Sequence, residues 1–299
     1  MTEWVPRFEP KNDKIEVNKD FGLDDLLSID ENKVLPWEEI VLPSHGLYYD
    51  GQVPGGIVKI RPMGLMADKI MATDRLAQSG KALNYLFQHC VKLPNEFDHL
   101  NLLIGDRNFI FYYLRGITYG NEYAFTAKCP SCSKFNEYVY DLNNLASKIA
   151  WASIEDEEPF KVELPHFSKL ISRDVWVKVR YLRGYDTLKM AASMKRKKVN
   201  VGDVINATIE DMVDDSLERN LDELIVSVGL GTDISSDKGK IRAFIKKLHS
   251  RDRSAVTSFI LDNQPGIDTE IELGCTTCDA TNSLSLPITD SFFRETKRD

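Results

Sequence analysis

The sequence predicts an α+β protein that contains two copies of one unit. Three observations support this fold: stretches that alternate apolar and polar residues, stretches with apolar residues every three or four positions, and short motifs that occur twice in the same order. We expect each copy to have a strand element, a helical middle and a C-terminal hairpin with a Cys-x-x-Cys turn. The copies should pack around a pseudo-twofold axis, with an N-terminal arm or linker at 1–36, a first repeat at 37–148 and a longer second repeat at 149–299.

The composition is that of a globular chain that can bury a core. Of its 299 residues, 42% are hydrophobic and 28% are charged, which excludes disorder throughout and collagen-like repetition. The net charge of −8 argues against a nonspecific nucleic-acid binder, which needs a basic face. No apolar run approaches the ~20 residues of a membrane helix, and the N-terminus lacks a signal-peptide pattern. We therefore expect no membrane contact and a reducing cytoplasm.

The N-terminal arm is polar, acidic and interrupted by prolines, and no apolar period runs through it. This pattern is typical of a tail or of a segment that orders on a partner, with one short helix at 21–28. Its aromatic residues Trp4, Phe8 and Phe21 are candidate partner-binding anchors because aromatic side chains dominate interface energies.

The first repeat begins at Leu42-Pro43 and continues with a strand at 57–61, where apolar and polar residues alternate. Helical spacing follows over 64–78, 81–92 and 94–114. Glycines end this helical region, and two strands then flank the first cysteine pair, at 123–128 and 137–142.

The second repeat begins near Phe160, after an acidic run that we interpret as a solvated linker. A strand at 175–180 is predicted first. Helical segments are then predicted at 185–197, 204–228 and 237–262, and strands at 268–273 and 282–286. The chain ends with Phe292 and Phe293, a bulky apolar pair that docks either on its own domain or on a partner. We predict them as candidate partner-binding residues, like the aromatic residues of the arm.

The two repeats share motifs in the same order. Each opens with Leu-Pro, and each then has Val-Lys-x-Arg in a strand. An Asp-Arg pair stands 23 residues before the first cysteine of each Cys-x-x-Cys turn, and a glycine stands 14 residues after each Asp. The shared order and the equal spacings indicate an internal duplication. We expect Asp106 and Asp252 to lie at equivalent helix starts, where a carboxylate favours the positive helix end.

Four of the five cysteines form two such turns, Cys129 with Cys132 and Cys275 with Cys278. A two-residue gap lets both sulfurs of one turn reach one metal ion, and two turns make the tetrahedral four-thiolate site that suits Zn²⁺. Common zinc modules have 15–20 residues between the pairs, whereas 142 residues separate these. Equivalent turns that face each other across the pseudo-twofold axis would bring the two pairs together despite this separation. One structural Zn²⁺ would then join the halves.

Other roles for these cysteines stay open. An iron–sulfur cluster also uses four thiolates, and simple burial is a further alternative. A redox Cys-x-x-Cys usually opens a helix, whereas strands flank both pairs here. A four-cysteine metal site leaves no open position for catalysis. Because nucleophile, phosphate-loop and dinucleotide motifs are also missing, we expect no enzymatic activity, no catalytic residue and no small-molecule substrate.

A series of short motifs runs along the chain: Leu42-Pro43-Ser44-x-Gly46, Ile60-Arg61-Pro62-Met63, Gly105-Asp106-Arg107, Leu114-Arg115-Gly116-Ile117-Thr118-Tyr119-Gly120, Cys129-Pro130-x-Cys132 and Phe292-Phe293. Their order resembles that of the baseplate hub proteins of T-even-like tailed phages. The resemblance covers most of residues 40–145 and the C-terminal cysteine turn.

The resemblance implies a structural or assembly component of a phage tail baseplate, present in the host cytoplasm during assembly and then in the virion tail. Its partners would be other baseplate or tail proteins. An alternative is a zinc-ribbon adaptor that binds nucleic acid or transcription machinery. The cysteine hairpins carry several acidic residues, which favours the first hypothesis.

Overall fold

The computed structural model describes residues 6–10, 16, 19–79, 81–153, 157–195, 221–286, 288 and 290–293. Its mixture of helices and antiparallel sheets confirms the α+β class. The strands are β1 (Glu38–Val41), β2 (Ile57–Ile60), β3 (Val91–Lys92), β4 (Glu122–Lys128), β5 (Phe135–Asp141), β6 (Ile149–Ala150), β7 (Phe160–Glu163), β8 (Val175–Val179), β9 (Ile225–Leu230), β10 (Asp233–Ser235), β11 (Gly266–Ile267), β12 (Glu270–Gly274) and β13 (Thr281–Ser285).

The α-helices of the same residues follow in chain order. They are α1 (Leu23–Leu27), α2 (Glu31–Val34), α3 (Leu65–Met71), α4 (Asp74–Ser79), α5 (Ala82–Cys90), α6 (Ile104–Tyr119), α7 (Pro165–Ile171), α8 (Gly184–Lys195), α9 (Lys238–Ile245) and α10 (Ser250–Asn263). Short 3₁₀ turns lie at Pro54–Gly56, Pro94–Glu96, His99–Asn101, Leu142–Lys148 and Asp290–Phe293.

A three-stranded antiparallel sheet of order β1-β2-β3 lies in the first half. Ile60 of β2 faces Glu38 of β1 on one side and Val91 of β3 on the other. Because successive side chains of a strand point to opposite faces, Val58 and Ile60 are both buried in the core, whereas Lys59 between them is exposed.

The sheet of the second half has the order β10-β9-β8-β7 and is also antiparallel. Val179 of β8 faces Phe160 of β7 and Ile225 of β9. Val179 holds the same place in the Val-Lys-x-Arg motif as Ile60 does in the first half. The motif strand is therefore central in both sheets and pairs with the strand that precedes Leu-Pro.

The helix α6 forms the centre of the molecule, because twelve of its 16 residues are buried. It begins against the second half, where its Gly105 crosses strand β11. A Cβ atom on Gly105 would lie 1.9 Å from the Pro265 carbonyl oxygen, so this close approach requires glycine. Backbone hydrogen bonds join the halves at the same place, from Ile104 to Leu182 and from Gly184 to Leu102.

Two buried aspartates each bind the backbone directly after one of the Leu-Pro pairs. Asp106 in α6 accepts the backbone N–H of Ser44 at 3.0 Å. Asp252 in α10 accepts the backbone N–H groups of His166 and Phe167 at 2.7 and 3.2 Å. Each aspartate is the third residue of its helix, so both lie at helix starts as expected. Each carboxylate also binds donors from a different segment, and Asp252 thereby caps the first turn of α7.

Both ends of the described chain pack onto α6. The Phe8 ring lies 6.4 Å from the Phe109 ring and 5.8 Å from the Tyr113 ring. At the other end, Phe292 packs against Tyr112 with ring centroids 5.1 Å apart. Neighbouring Phe293 packs against α6 in the same way.

These contacts correct the prediction that Phe8, Phe292 and Phe293 are surface anchors for a partner. All three side chains are fully or almost fully buried in the core of their own chain. The transfer of an aromatic ring from water into this core is favourable in free energy, which is why the chain ends dock inward. Phe21 is half-buried, and Trp4 lies outside the described residues.

Several predicted elements differ in the structure. Residues 225–230 form strand β9, not the end of a helix, and the rest of that predicted helix up to residue 220 lies outside the described residues. The helix expected at 94–114 is two 3₁₀ turns followed by α6, which ends at Gly120 with a φ of 90°. Within the described residues, no helix combines the length and the hydropathy needed to span a bilayer.

Candidate metal centre

Each Cys-x-x-Cys turn lies between two paired antiparallel strands. The first turn joins β4 and β5, in which Lys128 faces Phe135, and the second joins β12 and β13, in which Gly274 faces Thr281. The facing residues stand directly before the first cysteine and three residues after the second in both hairpins. The two turns are therefore presented with the same register.

The turns also share their backbone hydrogen bonds. The Cys129 N–H donates to the Lys134 carbonyl at 2.8 Å, and the Ser133 N–H donates back to the Cys129 carbonyl. The second turn has the same two bonds at the matching positions, 2.9 Å and 3.0 Å long. The residue after the second cysteine has a positive φ in both, 61° at Ser133 and 54° at Asp279. This tight geometry folds each turn back on itself, so that its two sulfurs point to one side.

The four sulfur atoms meet in one cluster. All lie within 4.8 Å of one another. Cys129 Sγ is 3.8 Å from Cys278 Sγ, and Cys132 Sγ is 3.7 Å from Cys275 Sγ. Each short distance joins a cysteine that opens one turn to a cysteine that closes the other. All four are free thiols and could bind one metal ion.

The pKa values of Cys129, Cys275 and Cys278 are shifted in different directions. Backbone N–H donation, from Thr277 first, lowers the pKa of Cys275 to about 6. The N–H of Cys132 is the main cause that lowers the pKa of Cys129. The Ala280 N–H acts in the same direction on Cys278, but desolvation and the neighbouring sulfurs raise its pKa to about 12. Thiolates at these distances repel one another, and a bound cation would relieve that repulsion.

Burial differs within the cluster. Cys129 and Cys275 are buried, Cys132 is half-buried and Cys278 is exposed. A metal ion held by all four would be fully coordinated by protein, as in closed structural sites. The arrangement can therefore join two hairpins, and it offers no open coordination position to a substrate.

Two asparagines that the motif search missed lie beside the cluster. Asn136 in β5 and Asn282 in β13 each stand seven residues after the first cysteine of their own hairpin. Asn136 Oδ1 accepts from the Thr276 backbone N–H at 3.2 Å, and Asn282 Nδ2 donates to Cys129 Sγ at 3.3 Å. Each side chain thus contacts the turn of the opposite hairpin. An alignment of the two Cys-x-x-Cys motifs places these asparagines at matching positions, which is a signal that the sequence does carry.

The two hairpins carry more exposed acidic than basic side chains. Lys128 and Lys134 are exposed beside the first turn, whereas the exposed acidic residues are Glu122, Glu137, Asp141, Asp268, Glu270, Glu272 and Asp279. Nucleic-acid binding draws most of its affinity from basic residues placed near phosphates. This surface therefore gives no support to the zinc-ribbon adaptor hypothesis.

Comparison with known proteins gives one family. The model of the family described as "T4 bacteriophage base plate protein" matches residues 47–294. This range includes both hairpins and all four clustered cysteines. Neither a curated protein nor a solved structure matches the chain.

Proposed function

The chain belongs to the T4 bacteriophage base plate protein family, and on that premise we propose that it is a baseplate hub component that acts by binding other tail proteins. The family match carries this proposal, since it spans both halves of the chain. A baseplate is built from protein contacts, so a non-enzymatic role follows. We further propose that the chain is present in the host cytoplasm during assembly and in the tail baseplate of the virion.

We propose that the metal is one structural Zn²⁺ bound by Cys129, Cys132, Cys275 and Cys278. With Zn–S bonds of about 2.3 Å, a regular tetrahedron has sulfur–sulfur edges of about 3.8 Å. The two cross-hairpin distances, 3.8 and 3.7 Å, support this size. An iron–sulfur cluster places inorganic atoms between the cysteine sulfurs and spreads them apart. Four sulfurs within 4.8 Å of one another therefore favour a single ion.

We also propose that the halves are duplicated copies related by a pseudo-twofold axis. The helices that carry the Asp-Arg motifs begin at Ile104 and Ser250, which are as far apart in the sequence as Cys129 and Cys275. The equal register of the sheets and hairpins supports the same conclusion. So does the reciprocal pairing of sulfurs, in which the opening cysteine of each copy contacts the closing cysteine of the other. A metal on the axis would join copies that are otherwise distant in sequence.

The exposed part of the N-terminal arm is our candidate contact surface for a partner. Leu23, Leu26 and Leu27 of α1 are between 54% and 76% exposed. The same short helix carries Asp24 and Asp25. Apolar side chains with neighbouring acidic groups fit an apolar surface with a basic rim on another tail protein.

A complementation experiment tests this function. A phage that lacks the gene is supplied with the wild-type chain, with a Leu23→Ser, Leu26→Ser, Leu27→Ser variant, or with a Leu170→Ser control. Leu170 is also exposed but lies in the second half. We expect complete baseplates from wild type and control, and incomplete ones from the triple variant. Normal tails without the gene would contradict the baseplate role, whereas normal tails from the triple variant would exclude only α1 as the contact surface.

A further inference from the structure

The two asparagines beside the cysteine cluster form a cross-connection between the hairpins. Asn136 and Asn282 occupy the second position of β5 and of β13. Their Nδ2 groups donate to the carbonyl oxygens of Lys134 and Ala280, each within its own turn, and both bonds are 3.2 Å long. A carbonyl oxygen can only accept, so these bonds fix which end of each amide carries the nitrogen. The oxygen ends are thereby directed to the opposite turn.

Asn136 has the more buried of the two side chains, with 4% of its surface exposed. Its Oδ1 accepts from the Thr276 N–H at 3.2 Å and from the Thr276 hydroxyl at 2.7 Å. Thr276 directly follows Cys275, so these bonds fix the backbone of the second turn. The Cys275 thiol also lies 3.5 Å from the same oxygen.

Asn282 makes the reciprocal contacts with the first turn. Its Oδ1 accepts from the Ser131 hydroxyl at 3.3 Å, and its Nδ2 lies 3.3 Å from Cys129 Sγ. An amide N–H directed at a sulfur stabilises the thiolate form, which is the form that binds metal. Both asparagines therefore contact a sulfur of the cluster, Asn282 as a donor to Cys129 and Asn136 as an acceptor beside Cys275.

We propose that Asn136 and Asn282 are positioning residues that bring the two cysteine turns into register before the metal binds. This inference rests on the proposed metal site. Groups that orient metal ligands typically change metal affinity by 10–100-fold when removed. Each asparagine bonds both its own turn and the opposite one, so the pair restricts the motion of the four ligands in the metal-free protein. Less conformational entropy is then lost on coordination. The metal then binds a prearranged site, although its ligands come from the two ends of the sequence.

A metal-competition measurement on the full chain tests this inference. Zn²⁺ affinity and the rate of Zn²⁺ release to a chromophoric chelator are compared for wild type, Asn136→Ala, Asn282→Ala and the double variant. Asn121→Ala is the matched control, because the Asn121 amide bonds Asp141 at the open end of the first hairpin. We expect each single variant to bind Zn²⁺ 10–100-fold more weakly, the double variant to bind more weakly still, and the control to bind as wild type does.

Cobalt(II) in place of zinc provides a readout that a purely structural role would not change. The visible absorption of Co²⁺ reports its ligand geometry, so distorted tetrahedral bands are expected in the asparagine variants.

Asn282→Asp keeps an acceptor for Ser131 but removes the N–H donor and adds a negative charge beside Cys129. It should therefore bind Zn²⁺ more weakly than Asn282→Ala does. Because Asn282 is only half-buried, both of its variants are expected to fold.

The outcomes separate this inference from the proposed metal site. If wild type binds one ion and the asparagine variants match it in affinity, release rate and cobalt spectrum, the positioning role is overturned while the metal site stands. If wild type binds no ion at all, both are overturned. Lower stability of the metal-free variants with unchanged metal affinity would also contradict the inference, because it would assign the asparagines to the hairpins alone.

Discussion

The buried carboxylate of Asp106 holds two segments of the chain together. Asp106 has no exposed surface and accepts hydrogen bonds from the Ser44 N–H and the Tyr49 hydroxyl. The Tyr49 hydroxyl also accepts from the Leu103 N–H at 3.0 Å. One carboxylate thereby connects α6 with the segment that follows Leu42-Pro43. Burial is the main cause that raises the pKa of Asp106 to about 6, and the hydrogen bonds only partly offset it.

A pH dependence of stability follows from Asp106. Its folded pKa lies above the value of about 3.9 expected for an unfolded chain, so the folded state binds the proton more tightly. The free energy of unfolding should therefore fall by roughly 3 kcal/mol in total as the pH rises from well below 4 to well above 6. Chemical denaturation gives the free energy of unfolding of wild type and Asp106→Asn across this range. The difference between the two proteins isolates the Asp106 contribution, because the titration of other groups is common to both. A constant difference between the two proteins would contradict it.

Individual residues also explain what the sequence could and could not predict of the site. The four cysteines were identifiable because Cys-x-x-Cys is a short local motif and occurs twice. Asn136 and Asn282 carry no motif of their own and become meaningful only when the two hairpins are brought together. The burial of Phe8 and Phe292 depends on packing against α6, which no local pattern encodes.

Among the elements, α6 determines how the rest of the chain packs. The helix predicted over 94–114 includes the first eleven residues of α6, because apolar residues recur there every three or four positions. Strand β9 was missed because its neighbouring residues suggested one continuous helix. Its β-branched residues are stabilised as a strand by pairing with β8 and β10, a tertiary contact that overrides local spacing. Short strands such as β6 and β11 exist only through their mutual pairing.

The C-terminal segment provides a prediction at the scale of elements. Phe292 is fully buried against α6 and strand β4, whereas Phe135 in β5 is 72% exposed. Phe292→Ala should lower the free energy of unfolding by about 3–5 kcal/mol, since it removes a large side chain from the core. Phe135→Ala is the control and should change it by less than about 0.5 kcal/mol. Thermal or urea unfolding of the two variants makes the comparison, and equal effects would show that the C-terminal segment does not dock.

At the scale of the whole molecule, two of the contacts that join the halves of the described chain differ in kind. One is the close crossing of α6 and β11 at Gly105, and the other is the cysteine cluster between the hairpins. The first uses backbone packing and hydrogen bonds, whereas the second would depend on the proposed ion.

Removal of the ion should therefore weaken the whole fold. A Cys129→Ser, Cys275→Ser variant keeps one cysteine in each turn and cannot form the four-thiolate site. We expect it to lose several kcal/mol of stability, because metal-binding energy at a structural site is folding energy. Wild type treated with EDTA should lose a comparable amount of stability, and EDTA should not change the stability of the variant.

Cys90→Ser is the control for metal loss, since Cys90 is buried away from the cluster and its pKa is raised to about 12 by burial. Full stability of the double variant would contradict a structural role for the ion.

The central claim is that one zinc ion joins the two halves of this baseplate protein through cysteines from both. Native mass spectrometry of the full chain, purified without chelator, tests it most directly. We predict a single species that carries one zinc ion per chain, and its loss from the Cys129→Ser, Cys275→Ser variant. A metal-free chain, or a chain that carries iron with inorganic sulfide, would contradict the claim.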